Sequence, residues 1–169
     1  PMRARHVREI QKLSTWIEPS IWTVPMLTAL VIGVKGGKWY SLMDKVYKMA
    51  NLRSAFKKVK ANKGAAGVDH QTIEMFEKHL EKNPKKLQRV LKKGRYKPQR
   101  ILRKNIPKPG KRNETRPLGI PTVRDRVVQT ALRNVLEPIF EVEFTDHSYG
   151  FRPKRGCKDA LRRVNHLLK

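Results

Sequence analysis

Two groups of residues have types and spacing that could do chemistry. The first is Ile106-Pro107-Lys108-Pro109-Gly110 followed by Thr115-Arg116-Pro117-Leu118-Gly119-Ile120-Pro121. Short apolar runs flank a basic tip containing Pro and Gly, which predicts a β-hairpin. Lys108 and Arg116 then stand symmetrically about the turn and can point at one ligand. An ammonium point charge beside a guanidinium fork suits a triphosphate or a phosphodiester backbone. The alternative is two exposed cations on a rigid turn. The second group is the loop Ser148–Gly156, where Tyr149 and Phe151 alternate with Arg152, Lys154 and Arg155. Aromatics among cations suit stacking on bases with phosphate contacts. The alternative is that Tyr149 and Phe151 anchor a tight glycine turn in a core.

No acid/base set accompanies them. The fourteen Asp and Glu residues are scattered, with no Asp-x-Asp or Asp-Asp pair to hold Mg²⁺. Gly64–Gly67 lacks the Gly-Lys-Ser/Thr of a phosphate-cradling loop. The five His residues and Cys157 show no zinc spacing, so no metal is assigned to them. On its residues the chain binds and does not itself carry chemistry.

Charge says what it binds. There are 39 Lys and Arg against 14 Asp and Glu, a net +25. Such self-repulsion is tolerated when a polyanion offsets it, and nucleic acid is the first candidate. From Lys85 to Arg116 fourteen cations meet one acid, Glu114. Solvated helix faces are normally mixed in sign, so this run predicts a phosphate-tracking surface. It carries Lys92, Lys93, Arg95, Arg100, Arg103, Lys104, Lys111 and Arg112. An anionic membrane is the rival partner. The apolar run Ser20–Val34 is about 15 residues, short of the ~20 a span needs, and Pro25 interrupts it. It is expected to be a buried or partner-packing helix, with no membrane span. A single cysteine excludes an internal disulfide and fits the cytoplasm.

The elements that position these groups follow from periodicity. Residues 1–40 are a basic stretch, the apolar segment and a Gly36-Gly37 break. Residues 41–62 read as helix, with a restart or cap at Asn51. Asn62–Asp69 is a glycine turn. Residues 72–92 read as two helices, with Thr72 capping the first, Asn83-Pro84 separating them and Gly94 closing the second. After the hairpin, Thr122 and Asp125 predict a capping box, followed by a helix with a wide apolar face that Pro138 ends or kinks. A last helix presents Cys157, Ala160, Leu161, Val164, Leu167 and Leu168 on one face. The fold class is α+β, mostly helical with one antiparallel hairpin. The segments are 1–45, 46–121 and 122–169. Neither end carries a helix stop signal, and the chain reads as an excerpt of a longer protein.

Four stretches in order resemble group II intron reverse transcriptases. Gly37–Tyr47 resembles the lead-in to their first block, and Asn62–Asp69 resembles that block. Ile106–Gly110 with Thr115–Pro121 resembles the next, and Thr122–Arg126 with Gln129 and Ala131, then Ser148–Arg155, the one after. The resemblance covers about residues 37–165. It implies a right-hand polymerase whose fingers and first palm helices lie here, together with a maturase role in splicing and mobility. It implies that Lys108 and Arg116 contact the triphosphate of a dNTP, and that the loop with Lys63 and Gly64 lies against template-primer. It implies two Mg²⁺ ions held by acids beyond Lys169, so this chain alone is expected to be inactive. Intron RNA, template-primer and dNTP are the expected partners, and a homodimer is possible. A splicing module that binds intron RNA without catalysis is the alternative.

Overall fold

The computed structural model describes residues 2–33, 39–111 and 113–168, with side chains from His6 onward. The chain forms two compact units, one of residues 1–39 with 136–169, the other of residues 40–135.

In the second unit the helix expected over residues 41–62 does restart, forming α3 (Leu42–Val46) and α4 (Met49–Ala61). The break falls at Tyr47-Lys48, ahead of Asn51. Asn51 lies inside α4, fully buried, and its side-chain amide donates to the carbonyls of Lys45 (3.0 Å), Val46 (3.3 Å) and Ala131 (3.0 Å). It therefore satisfies the carbonyls that the end of α3 leaves open, a different task from capping its own helix. Asn134 donates to Asn51 Oδ1 at 2.9 Å and accepts from Lys58 Nζ at 2.6 Å. This chain of amides ties α3 and α4 to α7 (Val123–Glu141).

Thr72 caps α5 (Ile73–Glu77) as expected, accepting from the Met75 amide at 3.2 Å. α6 (Asn83–Lys92) begins at Asn83-Pro84, and Gly94 follows it at φ 62°, the left-handed position that glycine takes without strain. Phe56 of α4 stacks on Phe76 of α5 at 5.1 Å, over a core completed by Leu52, Leu87, Val123 and Val127. The hairpin is β1 (Leu102–Pro107) paired antiparallel with β2 (Thr115–Ile120), in a register that sets Ile106 opposite Arg116. It is the sole sheet among the described residues. α7 runs through Pro138, which is buried inside it, and does not stop there.

In the first unit, α1 (Met2–Ser14) forms where the sequence showed a basic stretch. The apolar run is only partly helical. Ile21 and Trp22 lie buried in a turn, and α2 (Val24–Ile32) starts with Pro25 in its first turn, where proline suits a helix. Leu27 and Leu30 are its buried positions. Trp22 meets Trp39 edge-on at 5.5 Å. The Gly36-Gly37 break lies outside the described residues. α8 (Cys157–Leu167) has the expected apolar face, yet none of its residues is buried and Leu161 is 68% exposed. Periodicity specifies which face is apolar, while burial requires a packed partner.

Candidate nucleic-acid interface

The cations of the run are almost all exposed on the second unit. Lys85, Lys86, Arg89 and Lys92 project from α6, and Lys93, Arg95, Lys97 and Arg100 from the segment that leads to β1. Arg103, Lys104, Lys111 and Arg116 are exposed along the hairpin. Arg112 lies outside the described residues. Side chains alternate across a pleated ribbon and directly paired residues share a face. With Lys104 paired to Leu118 and Ile106 to Arg116, one face holds Lys104 and Arg116 between apolar neighbours, and Arg103 falls on the other.

The register changes one sequence expectation. Lys108 donates its amide to Glu114 O at 2.9 Å, so it stands opposite Glu114 and not opposite Arg116. Arg116 lies two residues further from the tip. Lys108 Nζ is 2.7 Å from Glu114 Oε2, and Lys111 Nζ is 2.9 Å from Glu114 Oε1. These two ammonium groups, Lys108 first, hold the Glu114 carboxyl below its ordinary range. The lone acid of the run thus sits at its tip and neutralises part of it. No ion pair involving Arg116 occurs among the described residues.

What holds the hairpin's root is a group that the sequence showed only as a helix cap. Asp125 is 3% exposed. The Asp125 amide donates to Thr122 Oγ1 at 3.2 Å, as a cap requires. Its carboxylate accepts from Thr122 Oγ1 (2.7 Å), from the Gln99 amide (3.1 Å) and from the Tyr96 hydroxyl. Burial, then this hydrogen bond, pushes the Tyr96 phenol well above its ordinary value. Arg124 packs over the Tyr96 ring at 5.4 Å and donates to Lys97 O at 3.1 Å. The first turn of α7 therefore clamps the segment from which the hairpin grows. Nothing in the Thr-x-x-Asp spacing pointed to partners 26 to 29 residues upstream.

The Asn62–Asp69 loop lies on the same turn. Arg126 Nη2 donates to Ala65 O at 2.6 Å. A Cβ at Gly64 would stand 1.9 Å from Arg126 Nη1, and one at Gly67 would stand 2.7 Å from Thr122 Cα. Close approach of backbone thus explains Gly67, whereas at Gly64 the neighbour is the movable end of the Arg126 side chain. Burial lowers the Arg126 pKa, opposed by the charge of Asp69. Lys63, at φ 43°, remains exposed beside them.

In the first unit the Ser148–Gly156 loop divides. The Arg152 side chain is 5% exposed, and its fork reaches Glu141 (2.8 Å) and the carbonyls of Thr145 (2.6 Å) and Ser148 (2.9 Å). This takes Arg152 out of the set offered to a ligand, because its donors are spent in shaping the loop. Arg155 donates to Asp146 O at 2.7 Å and packs over Tyr149 at 5.9 Å. Arg155 also holds the Asp146 carboxyl below its ordinary range. Lys154 is exposed, bonded to Thr15 Oγ1 at 2.7 Å. Phe151 is no core anchor: it is fully exposed, at φ 57°.

Among the described residues no three His, Cys, Asp or Glu side chains cluster as a metal site. Among those same residues, no helix is long and apolar enough to cross a membrane. No protein-family model matches the chain. It is 41% identical over 112 residues to the group II intron-encoded protein LtrA of Lactococcus lactis subsp. cremoris, covering 65% of this chain and 18% of that protein. It is 48% identical over 60 residues to protein YkfC of Escherichia coli, or 36% of this chain and 16% of that one. It is 43% identical over 44 residues to nuclear intron maturase 1, mitochondrial, of Arabidopsis thaliana, or 26% and 6%. The chain thus spans less than a fifth of the length of these relatives. With the ordered motif blocks and the basic hairpin, these likenesses support reading the chain as a fragment similar to group II intron-encoded proteins and intron maturases.

Proposed function

We propose that this chain is the RNA-binding front, the fingers and first palm helices, of an RNA-directed DNA polymerase that also serves splicing and mobility of its group II intron. The observation that carries the reading is the exposed one-sign surface from α6 to β2, on a chain whose relatives are named for their introns. That surface would follow the backbone of intron RNA or of template-primer. Arg116, exposed and without an ion pair among the described residues, would receive the triphosphate of the incoming dNTP. Lys108 would join it after exchanging Glu114 for phosphate, since a 2.7 Å surface ion pair is readily traded for a better anion. The two Mg²⁺ ions that nucleotidyl transfer uses would be held by acids that the family resemblance places outside this chain. The intact protein would work in the cytoplasm, with a homodimer as one possible assembly.

Affinity for a structured RNA tests the reading. With about six phosphate contacts it should fall by roughly three decades between 50 and 200 mM salt. The chain by itself should extend no primer. A flat salt response would sink the interface, and extension by a clean preparation would relocate the active site.

A further inference from the structure

The second unit carries a cleft that the backbone-tracking surface does not use. It holds about 270 Å³, near the lower edge of the roughly 300–1,000 Å³ typical of small-ligand sites. Phe76, Leu87 and Val90 give it apolar walls. Tyr96 and Arg124, already stacked on each other, form another side, a planar cation–aromatic pair. Gln71 and Gln99 add amides that can donate and accept at the edge of a ring, and the Asp69 carboxylate, which also lines the cleft, can accept from a base amino group but not face a phosphate. Lys86 stands at the same cleft, on α6 with the exposed Lys85 and Arg89.

This combination fits neither a bare phosphate nor a duplex. A phosphate needs no apolar wall, and a duplex cannot enter so small a volume. A single unstacked nucleotide needs each part: a flat apolar slot for its base, amides for the base edge, and a cation for its phosphate. RNA is recognised at such splayed-out bases because its helical grooves hide or blur the sequence. We propose that this cleft takes one unstacked nucleotide, bulged or looped out of the RNA that the surrounding cations hold. The assignment rests on the RNA-binding reading above and adds to it a readout of RNA shape.

The test uses the full chain and two RNA hairpins, one with a single bulged 2-aminopurine nucleotide and one without the bulge. The bulged hairpin should bind more tightly by roughly 5- to 150-fold, the range of one base stacked on an aromatic, and its fluorescence should be quenched on binding. Val90→Trp fills the cleft and should abolish both the preference and the quenching. It should leave affinity for the unbulged hairpin and its salt dependence unchanged. If Val90→Trp lowers the melting temperature, Gln71→Trp, on a side chain without a core role, decides the matter by the same readouts. Equal binding of the two hairpins by the wild-type chain would overturn the proposal while leaving the RNA reading intact. So would a preference that survives in the folded variant. Displacement of the quenched signal by polyglutamate as effectively as by unlabelled bulged hairpin would assign the cleft to acidic polypeptide instead. Binding of neither hairpin would sink the RNA reading itself, and the cleft assignment with it.

Discussion

Replacing Asp125 by alanine should release the hairpin from the helix that carries it. The carboxylate is buried and receives the Gln99 amide, the Thr122 hydroxyl and the Tyr96 hydroxyl. A hydrogen bond to a charged group is worth about 1.5–3 kcal/mol, and a buried donor left unpaired costs a similar amount. The Thr122 hydroxyl can turn elsewhere, but the Gln99 amide and the Tyr96 hydroxyl are held by their backbone and ring. Two orphaned donors, with the loss of an acid from the first turn of α7, come to about 3–5 kcal/mol, since the terms overlap. Asp125→Asn should cost only about 1–2 kcal/mol, because Oδ2 already takes two of the three donors and an amide oxygen can replace it there. Urea unfolding read by circular dichroism is the assay. At an m-value of about 2 kcal/mol per M, the alanine variant's midpoint should drop by roughly 2 M. Amide exchange at Gln99 and along β1 should accelerate ahead of that in α4. An alanine variant within about 1 kcal/mol of wild type, or one with hairpin exchange unchanged, would show that Asp125 caps α7 and nothing more.

Arg152→Ala should destabilise the first unit by about 3–5 kcal/mol, because it leaves Glu141 mostly buried without its partner; calorimetry should register a melting point lower by roughly 6–20 °C, and a surface-like loss under 1 kcal/mol would refute the buried role. In the intact polymerase, Arg116→Ala should lower kcat/KM for dNTP roughly ten- to a hundredfold, from about 1.5–3 kcal/mol of charge-assisted contact. Lys108→Ala should do less, since Glu114 competes for it. Loss of RNA affinity with unchanged dNTP kinetics would make the hairpin a backbone clamp. The raised Tyr96 phenol sets an alkaline limb. Below about pH 10 the phenol is neutral in both states. Above it the unfolded chain ionises first, so stability should fall with rising pH. Tyr96→Phe should flatten that limb in pH-dependent unfolding, and a limb unchanged in the variant would assign it to other groups.

Much of the candidate site was readable along the chain because its causes are local. The hairpin follows from short apolar runs about a Pro-Gly tip, the cap of α5 from Thr72, and the cationic surface from counting signs between Lys85 and Arg116. The motif blocks were legible for the same reason: each is a contiguous string. What the sequence could not settle depends on who meets whom across the fold. Asn51 looks like a cap until the carbonyls of Lys45, Val46 and Ala131 converge on it. Arg152 looks like one more cation for RNA until Glu141 and two carbonyls enclose it. Lys108 and Arg116 look symmetric until the strand register sets Glu114 against the lysine. A residue's type determines which interactions it can make, whereas its burial and its partners are brought together by packing between segments distant in sequence. The tertiary structure alone therefore decided which cations remain free to meet a phosphate.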